Sequence, residues 1–240
     1  MQLLRGDGPV IRVGHRGAPL VAPANTLASI RAAAEAGVDV VELDVLRAGG
    51  RLVLCHSPEE LVAGLPSLDE ALALVRELEL GVQLDVKGRG HEDEIAASVR
   101  RHGLVESTLV SSFSPATLHA IARAEPRLPR AFTYPEDRHG LSGRRITAPL
   151  VGPALAAMRL VLPQRLLWLL RRVDARAATL HFGVVSAATI ARCHAADVAV
   201  WVWTVNDSER ARRLESLGAD AIISDDPRIL RDLSTAREPR

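Results

Sequence analysis

The sequence predicts an α/β fold, a closed (β/α)8 TIM barrel, on three observations. Apolar β-branched runs alternate with alanine- and leucine-rich helical stretches along the chain, the pattern of parallel βαβ units. The length of 240 residues is close to the roughly 250 of a typical barrel. Polar residues gather at the ends of several different strands, the distributed way in which barrel sites are assembled. An open doubly wound sheet also fits the alternation, but no glycine-rich phosphate loop follows the first strand.

Taken in order, the β-branched runs place strands at Val10–Gly14, Val38–Val45, Gly81–Val86, Thr108–Ser111, Arg130–Tyr134, Ala178–Phe182, Val198–Val205 and Ala219–Ser224. The short run Arg51–Cys55 reads as an extension of the second βα loop. Helical patterns fill the intervals at Thr26–Ala36, Ser67–Leu78, His91–His102, Pro115–Ala124, Ser186–Ala196, Ser208–Leu217 and Pro227–Leu233. A further helical stretch, whole or broken, falls within Ala148–Val173. No linker or short repeat interrupts the series, so one domain over residues 1–240 is expected.

Composition narrows the function classes. A formal net charge of +1 with no basic tail gives a nucleic-acid partner no electrostatic support. Aromatic residues at 3% provide no base-stacking surface. Cys55 and Cys193 sit in apolar stretches and are read as small core residues, too few for a disulfide framework. The first residues, MQLLRGDGPVIRVGHRG, hold no apolar signal core, so a cytoplasmic protein is expected. Lys87 is the only lysine among 30 basic residues. It is either a chance survivor or a site that needs a compact ammonium.

The second strand ends Val41-Glu42-Leu43-Asp44-Val45. Side chains alternate along a strand, so Glu42 and Asp44 share one face while the apolar residues turn to the surrounding helices. Two carboxylates in adjacent barrel layers repel unless a cation or proton lies between them. The third strand ends Gln83-Leu84-Asp85-Val86-Lys87 and turns Asp85 and Lys87 inward beside them. Three convergent oxygen donors suit one hard cation, Mg²⁺ or Ca²⁺. The alternative is a metal-free network of ion pairs between Lys87 and the acids.

The first strand ends Gly14-His15-Arg16-Gly17, where glycines allow a sharp turn and a close ligand, and Arg16 offers a fork for phosphate oxygens. His56 follows the apolar run Leu52-Val53-Leu54-Cys55. Two histidines beside a metal and two cations supply a base, an acid and charge stabilisation for displacement at phosphorus. His181, at the end of the sixth strand, is either a further pocket residue or a satisfied barrel histidine. A different chemistry, Schiff-base formation at Lys87, requires a neutral amine that the charged surroundings oppose.

Gly14-His15-Arg16-Gly17, Pro23-Ala24-Asn25-Thr26, Glu42-Leu43-Asp44-Val45, Cys55-His56, Ser111-Ser112-Phe113, Trp203-Thr204-Val205-Asn206 and Gly218-Ala219-Asp220-Ala221-Ile222-Ile223-Ser224-Asp225-Asp226-Pro227 follow one another in this order. The ordered set resembles the glycerophosphodiester phosphodiesterase family and spans essentially the whole chain. The resemblance implies a metal-dependent barrel that hydrolyses glycerophosphodiesters to an alcohol and glycerol 3-phosphate through a cyclic phosphate. It implies that His15 and His56 act as the acid/base pair and that Glu42, Asp44 and Asp85 hold the metal. It also implies that Arg16 and Lys87 bind the phosphate and that Trp203 lines the substrate pocket, although Trp203 and Trp201 share a strand face and also fit simple packing. The chain departs from the family pattern at three positions. Ala24 stands for an acid, Ser57 for the aspartate after the histidine, and Asp85 for a glutamate one methylene longer; Ala24 and Ser57 also fit a divergent barrel that binds phosphodiesters without turnover. The insertion that usually follows His56 is nearly absent, which predicts an open pocket.

The apolar stretch from Ala148 to Arg172 is interrupted by Arg159 and Arg165 and is too short of uncharged residues to cross a bilayer. It fits ordinary barrel packing, an apolar cap at the mouth, or a helix lying in a membrane surface. The last two would suit lipid-like diesters, as in a lysophospholipase D, with peripheral membrane contact.

Overall fold

The computed structural model describes residues 1–135 and 148–233. Among these residues nine strands form one sheet: β1 (Ile11–Gly14), β2 (Val40–Ala48), β3 (Arg51–Leu54), β4 (Gly81–Val86), β5 (Thr108–Ser112), β6 (Arg130–Tyr134), β7 (Ala177–His181), β8 (Ala199–Trp203) and β9 (Ala221–Ser224). All but β3 are parallel and follow one another around a ring, which the β1–β2 and β1–β9 pairings close. The expected (β/α)8 barrel is therefore the observed fold. The helices are α1 (Leu27–Glu35), α2 (Leu68–Glu77), α3 (Glu92–Arg101), α4 (Pro115–Ala124), α5 (Ala148–Arg172), α6 (Ala187–His194) and α7 (Ser208–Leu217).

Five of the described helices begin with a side-chain cap. Thr26, Ser114, Ser186 and Asp207 accept hydrogen bonds from backbone N–H groups of the first turns of α1, α4, α6 and α7. Ser67 and Glu70 make a reciprocal capping box on α2. Such caps satisfy donors a helix start otherwise leaves unpaired, at about 1 kcal/mol each. They set the helix starts directly after the loops at the C-terminal ends of the strands.

Strand alternation divides the core. Val41, Leu43 and Val45 face outward and pack with Ile30, Leu72 and Ile95 between sheet and helices. Inside the barrel, Val13, Leu109, Trp201 and Ile223 fill the end where the strands begin. The N-terminal residues close that end, where the Trp201 indole N–H donates to the Leu3 carbonyl at 3.3 Å. The opposite half of the interior is polar: Glu42, Asp44, Gln83, Asp85, Ser111, Thr133 and Thr179 are all buried there. In the strand register Asp44 pairs with Asp85, and Asp85 with Ser111, so the three share a layer.

Two elements differ from expectation, and a third, expected as a helix whole or broken, is whole. Arg51–Leu54 is a true strand, β3, which folds back antiparallel on β2. The expected helix Pro227–Leu233 is a single 3₁₀ turn, Pro227–Leu230. The stretch around 148–173 is one 25-residue helix, α5, despite Pro153 and Pro163 within it. Leu162, Leu166 and Leu170, at four-residue spacing, are buried in the core against the barrel. Its opposite face exposes Val161 and Trp168, with the Arg172 guanidinium 5.4 Å above the Trp168 ring. Among the described residues no helix is long and apolar enough to cross a membrane.

Candidate active site

The loop after β1 is built around two glycines. At Gly17 φ is +85°, and a Cβ there would lie 2.2 Å from Ser29 Oγ. A Cβ on Gly14 would lie 2.2 Å from the Gly17 carbonyl oxygen. The turn is held by Ser29, whose hydroxyl donates to the Arg16 carbonyl and accepts from Ala18 N–H, both at 2.7 Å. Arg16 and Asn25 adopt positive φ of 50° and 57°, conformations that cost non-glycine residues energy unless the surroundings enforce them. Both serve the acids: Arg16 N–H donates to Glu42 Oε2 at 2.9 Å, and Asn25 Nδ2 donates to Asp44 Oδ2 at 2.9 Å. The Asp44 backbone N–H in turn donates to Asn25 Oδ1 at 3.1 Å.

Glu42, Asp44 and Asp85 converge as expected, with one oxygen of each within 4.8 Å of the others, all three residues being buried. Oxygens on opposite sides of a cation lie about 4.0–4.2 Å apart for Mg²⁺ and about 4.6–5.2 Å for Ca²⁺, so this donor set fits a hard divalent ion. The shorter Asp85 reaches the cluster, guided by Ser111 Oγ donating to its Oδ1 at 2.6 Å. Burial, followed by the charge of Asp44, raises the Glu42 pKa to about 7. Burial also acts against the Asp44 carboxylate, but its hydrogen bond with His56 and the charges of Lys87 and Arg16 hold its pKa well below the usual range. One cluster thus contains an acid prone to keep its proton and an acid prone to lose it.

The cations engage the same carboxylates. The Lys87 ammonium lies 3.0 Å from Asp44 Oδ1 and donates to Asp85 Oδ2. Burial disfavours its charge, but the carboxylates of Asp85, Asp44 and Glu42 more than compensate and raise its pKa above the usual lysine value. A Schiff-base nucleophile therefore lacks its neutral amine. Arg16 Nε lies 3.0 Å from Asp44 Oδ2 without an aligned hydrogen bond. Its other end, Nη2, meets His56 Nδ1 at 2.9 Å.

His15 and His56 flank the acids. His15 Nδ1 lies 2.6 Å from Asp225 Oδ1, and its Nε2 lies 3.9 Å from Glu42 Oε2. Burial lowers the His15 pKa, but the Asp225 hydrogen bond and the Glu42 charge outweigh it, so the net shift is upward. Asp225 is itself clamped by Asn206, whose Nδ2 donates to Asp225 Oδ2 at 2.6 Å and whose Oδ1 accepts from Asp225 N–H at 2.9 Å. His56 Nδ1 is also 3.2 Å from Asp44 Oδ2, which leaves Nε2 as its open ring nitrogen.

Across the mouth, Trp203, His181 and Phe113 form an aromatic cluster. Trp203 meets His181 edge-on at 5.4 Å and Phe113 at 6.3 Å, and the Lys87 ammonium lies 5.6 Å from the Phe113 centroid. The Trp203 indole N–H is buried with no acceptor among the described residues. His181 Nδ1 accepts from Gly183 N–H at 3.1 Å, and burial, with the Arg210 charge, lowers its pKa toward the neutral form. Trp201, by contrast, belongs to the apolar end.

Asp225, Asn206, Asn25 and Ser111 each stand in one of the ordered motifs, yet nothing local in the sequence gives them a role. Their contacts cross 19 to 210 positions of sequence, so only ring closure brings Asp225 to His15.

The model of the glycerophosphoryl diester phosphodiesterase family matches residues 15–80 and 75–229 of the chain. The chain belongs to that family. It is an enzyme, a glycerophosphodiester phosphodiesterase. A glycerophosphodiester phosphodiesterase of Caldanaerobacter subterraneus subsp. tengcongensis is 24% identical over 261 residues, covering 92% of this chain and 96% of that protein. A structure of an Oleispira antarctica phosphodiesterase in complex with the product sn-glycerol-3-phosphate superposes with a TM-score of 0.74 at 23% identity, over 92% of this chain and 94% of that one. A glycerophosphoryl diester phosphodiesterase structure from Silicibacter pomeroyi gives a TM-score of 0.72 at 24% identity, over 96% of both chains. Within the family, Ala24 of this chain is exposed beside the mouth, and Ser57 precedes a short 3₁₀ turn, Pro58–Glu60, where its backbone carbonyl accepts from Glu60 N–H at 3.1 Å.

Proposed function

We propose that this family member, acting as a single barrel domain, hydrolyses a glycerophosphodiester to an alcohol and glycerol 3-phosphate with one divalent cation, Mg²⁺ or Ca²⁺. The observation that carries the reading is the meeting of Glu42, Asp44 and Asp85 between two histidines. Those three residues would hold the ion, which supplies Lewis-acid stabilisation of charge on the phosphoryl oxygens. Arg16 and Lys87, which pair with Asp44 in the ion-free cluster, would supply positive charge to the phosphate beside the ion.

His15 and His56 divide the proton transfers. His15, held by Asp225 and biased to the charged form, carries the proton for the leaving alcohol. His56, more open to solvent, accepts at Nε2 the proton of the substrate's neighbouring hydroxyl as the cyclic phosphate forms, in the tautomer whose Nδ1–H donates to Asp44 and not the one that accepts from Arg16. Water then opens the cyclic phosphate to glycerol 3-phosphate. Trp203 and His181 line the pocket opposite, where the unpaired indole N–H is available to a substrate oxygen. The product-bound relative from Oleispira antarctica supports glycerol 3-phosphate as the product class.

A second reading, activity on lysophospholipid-like diesters at a cytoplasmic membrane surface, is favoured by the exposed Leu20, Val21, Leu61 and Val62 on the loops that follow His15 and His56. Arg171 and Leu170 of α5 line a cavity with Met1 and Leu3 at the opposite end of the barrel, which removes that end of α5 from any lipid-binding wall at the mouth. A panel of glycerophosphodiesters and lysophospholipids tests both readings, with free glycerol 3-phosphate measured for the first and the released head-group alcohol, left beside an acylated glycerol 3-phosphate, for the second. Release of a choline phosphate or an inositol phosphate in place of glycerol 3-phosphate would overturn the assignment of the cleaved bond.

A further inference from the structure

Six large hydrophobic side chains are exposed among the described residues, and four stand on the two loops that carry the proposed acid/base pair. Leu20 and Val21, 63% and 49% exposed, follow His15 and Arg16. Leu61 and Val62, 40% and 69% exposed, follow His56. The two loops are tied together at their bases by the 2.9 Å contact between Arg16 Nη2 and His56 Nδ1. The other two, Val161 and Trp168, stand on α5, which follows β6, four strands around the ring from β1.

The surrounding sequence has the same character. Pro19-Leu20-Val21-Ala22-Pro23-Ala24 and Leu61-Val62-Ala63-Gly64-Leu65-Pro66 hold no charged residue, in a chain that is 25% charged. Ala24, the position where an acid departs from the family pattern, extends the first run. Neither loop is loosely built. Val21 and Ala22 N–H donate to the Ala18 carbonyl at 2.8 and 3.0 Å, and Leu20 N–H to the Asp225 carbonyl at 3.3 Å. Leu61 N–H donates to the Pro58 carbonyl at 3.3 Å, and Leu54 N–H to the Pro66 carbonyl at 2.9 Å. Their apolar side chains are therefore held out to solvent on anchored turns, against the usual cost of exposing such surface.

We propose that Leu20, Val21, Leu61 and Val62 seat the mouth of the barrel on a lipid surface, from which a phosphodiester enters the site directly. The proposal deepens the reading of the site as a phosphodiesterase and rests on it for the source of substrate. A protein lying across both loops would close the mouth, whereas a lipid surface covers it and supplies substrate through it. Separate protruding pairs also suit a fluid surface, into which each inserts independently, better than a shaped partner. Glu59 and Glu60 precede the second pair and oppose an anionic surface, so a zwitterionic one is assigned.

The test is partition of the full chain onto phosphatidylcholine vesicles by sedimentation, in EDTA so that binding is read without turnover. Wild type is expected to bind, and Leu20→Ser/Val21→Ser and Leu61→Ser/Val62→Ser each to bind at least about tenfold less, the loss of two inserted aliphatic side chains. Val161→Ser/Trp168→Ser should bind as wild type. Activity on soluble glycerophosphocholine should be unchanged in both loop variants, while activity on vesicle-borne lysophosphatidylcholine should fall with partition. Wild type that stays in solution, or loop variants that bind as well as it does, would overturn the proposal. Self-association of wild type that the loop variants abolish, without vesicle binding, would assign the loops to a second copy instead. Loop-dependent binding by a protein that cleaves no diester would uphold the docking surface and sink the catalytic reading.

Discussion

The acid cluster makes metal binding a competition with a proton, and the size of that competition follows from Glu42. Burial and the neighbouring Asp44 raise its pKa to about 7 from the ordinary 4.5. A cation needs the carboxylate form, so lowering the pH through 7 must weaken binding. At one unit below that pKa about one site in eleven is ready for the ion, and from pH 8 to pH 6 the dissociation constant should rise about tenfold. Calorimetric titration of the metal-free protein with Mg²⁺ or Ca²⁺, in two buffers of different ionisation enthalpy, counts the protons released. The count should approach one at pH 6 and vanish at pH 8. The same shift has a stability sign: a native pKa above the unfolded one means that the folded state binds the extra proton. Metal-free protein should therefore lose thermal stability as the pH rises from about 5 to 8, and saturating ion should restore it. The upward shift of His15 adds to that slope in the same direction. Affinity independent of pH, with no proton release at pH 6, would refute the reasoning.

Four further outcomes are expected. Asp225→Asn removes a charged hydrogen bond to His15, commonly about 1.5–3 kcal/mol, so kcat should fall roughly tenfold to a hundredfold with KM little changed. A leaving alcohol of low pKa should rescue most of that loss; equal losses on both substrates would contradict the role. His15→Ala and His56→Ala should each lower kcat about 10²–10⁴-fold, with the same activated substrate rescuing only His15→Ala. Asp44→Asn removes a ligand charge and the anchor of Arg16 and Lys87, so calorimetry should find divalent binding nearly abolished in a folded protein. Gly17→Ala places a methyl against Ser29 at positive φ and should destabilise the barrel by at least about 1–3 kcal/mol in denaturant unfolding; wild-type stability would show that the turn can relax.

The barrel and its acids were legible because both rest on short-range periodicity. Alternation at every second residue places Glu42, Asp44 and Asp85 on the inner face of β2 and β4, and the register then joins them. The hydrogen bond between His15 and Asp225 rests on ring closure between residues 210 positions apart, which no local pattern encodes. Likewise Ser111 reaches Asp85 only because β4 and β5 pair in that register. The run Pro227–Leu233 has helical composition, yet Asp226 caps a single 3₁₀ turn there. The apolar excess in α5 is a far stronger compositional signal than the loops after β1 and β3 carry. There the exposed hydrophobics are few, and only their position beside His15 and His56 makes them informative.

The central claim is that phosphodiester hydrolysis at this site runs through a divalent cation held by Glu42, Asp44 and Asp85. Its most direct test measures glycerol 3-phosphate release from glycerophosphocholine by protein stripped with EDTA, then titrated with Mg²⁺ or Ca²⁺. Activity should be absent in stripped wild type and return with a saturable midpoint that matches the calorimetric dissociation constant, while Asp44→Asn should stay inactive at the same ion concentrations. Full activity in the stripped protein would contradict the account and leave the acids as partners of Lys87 and Arg16 alone.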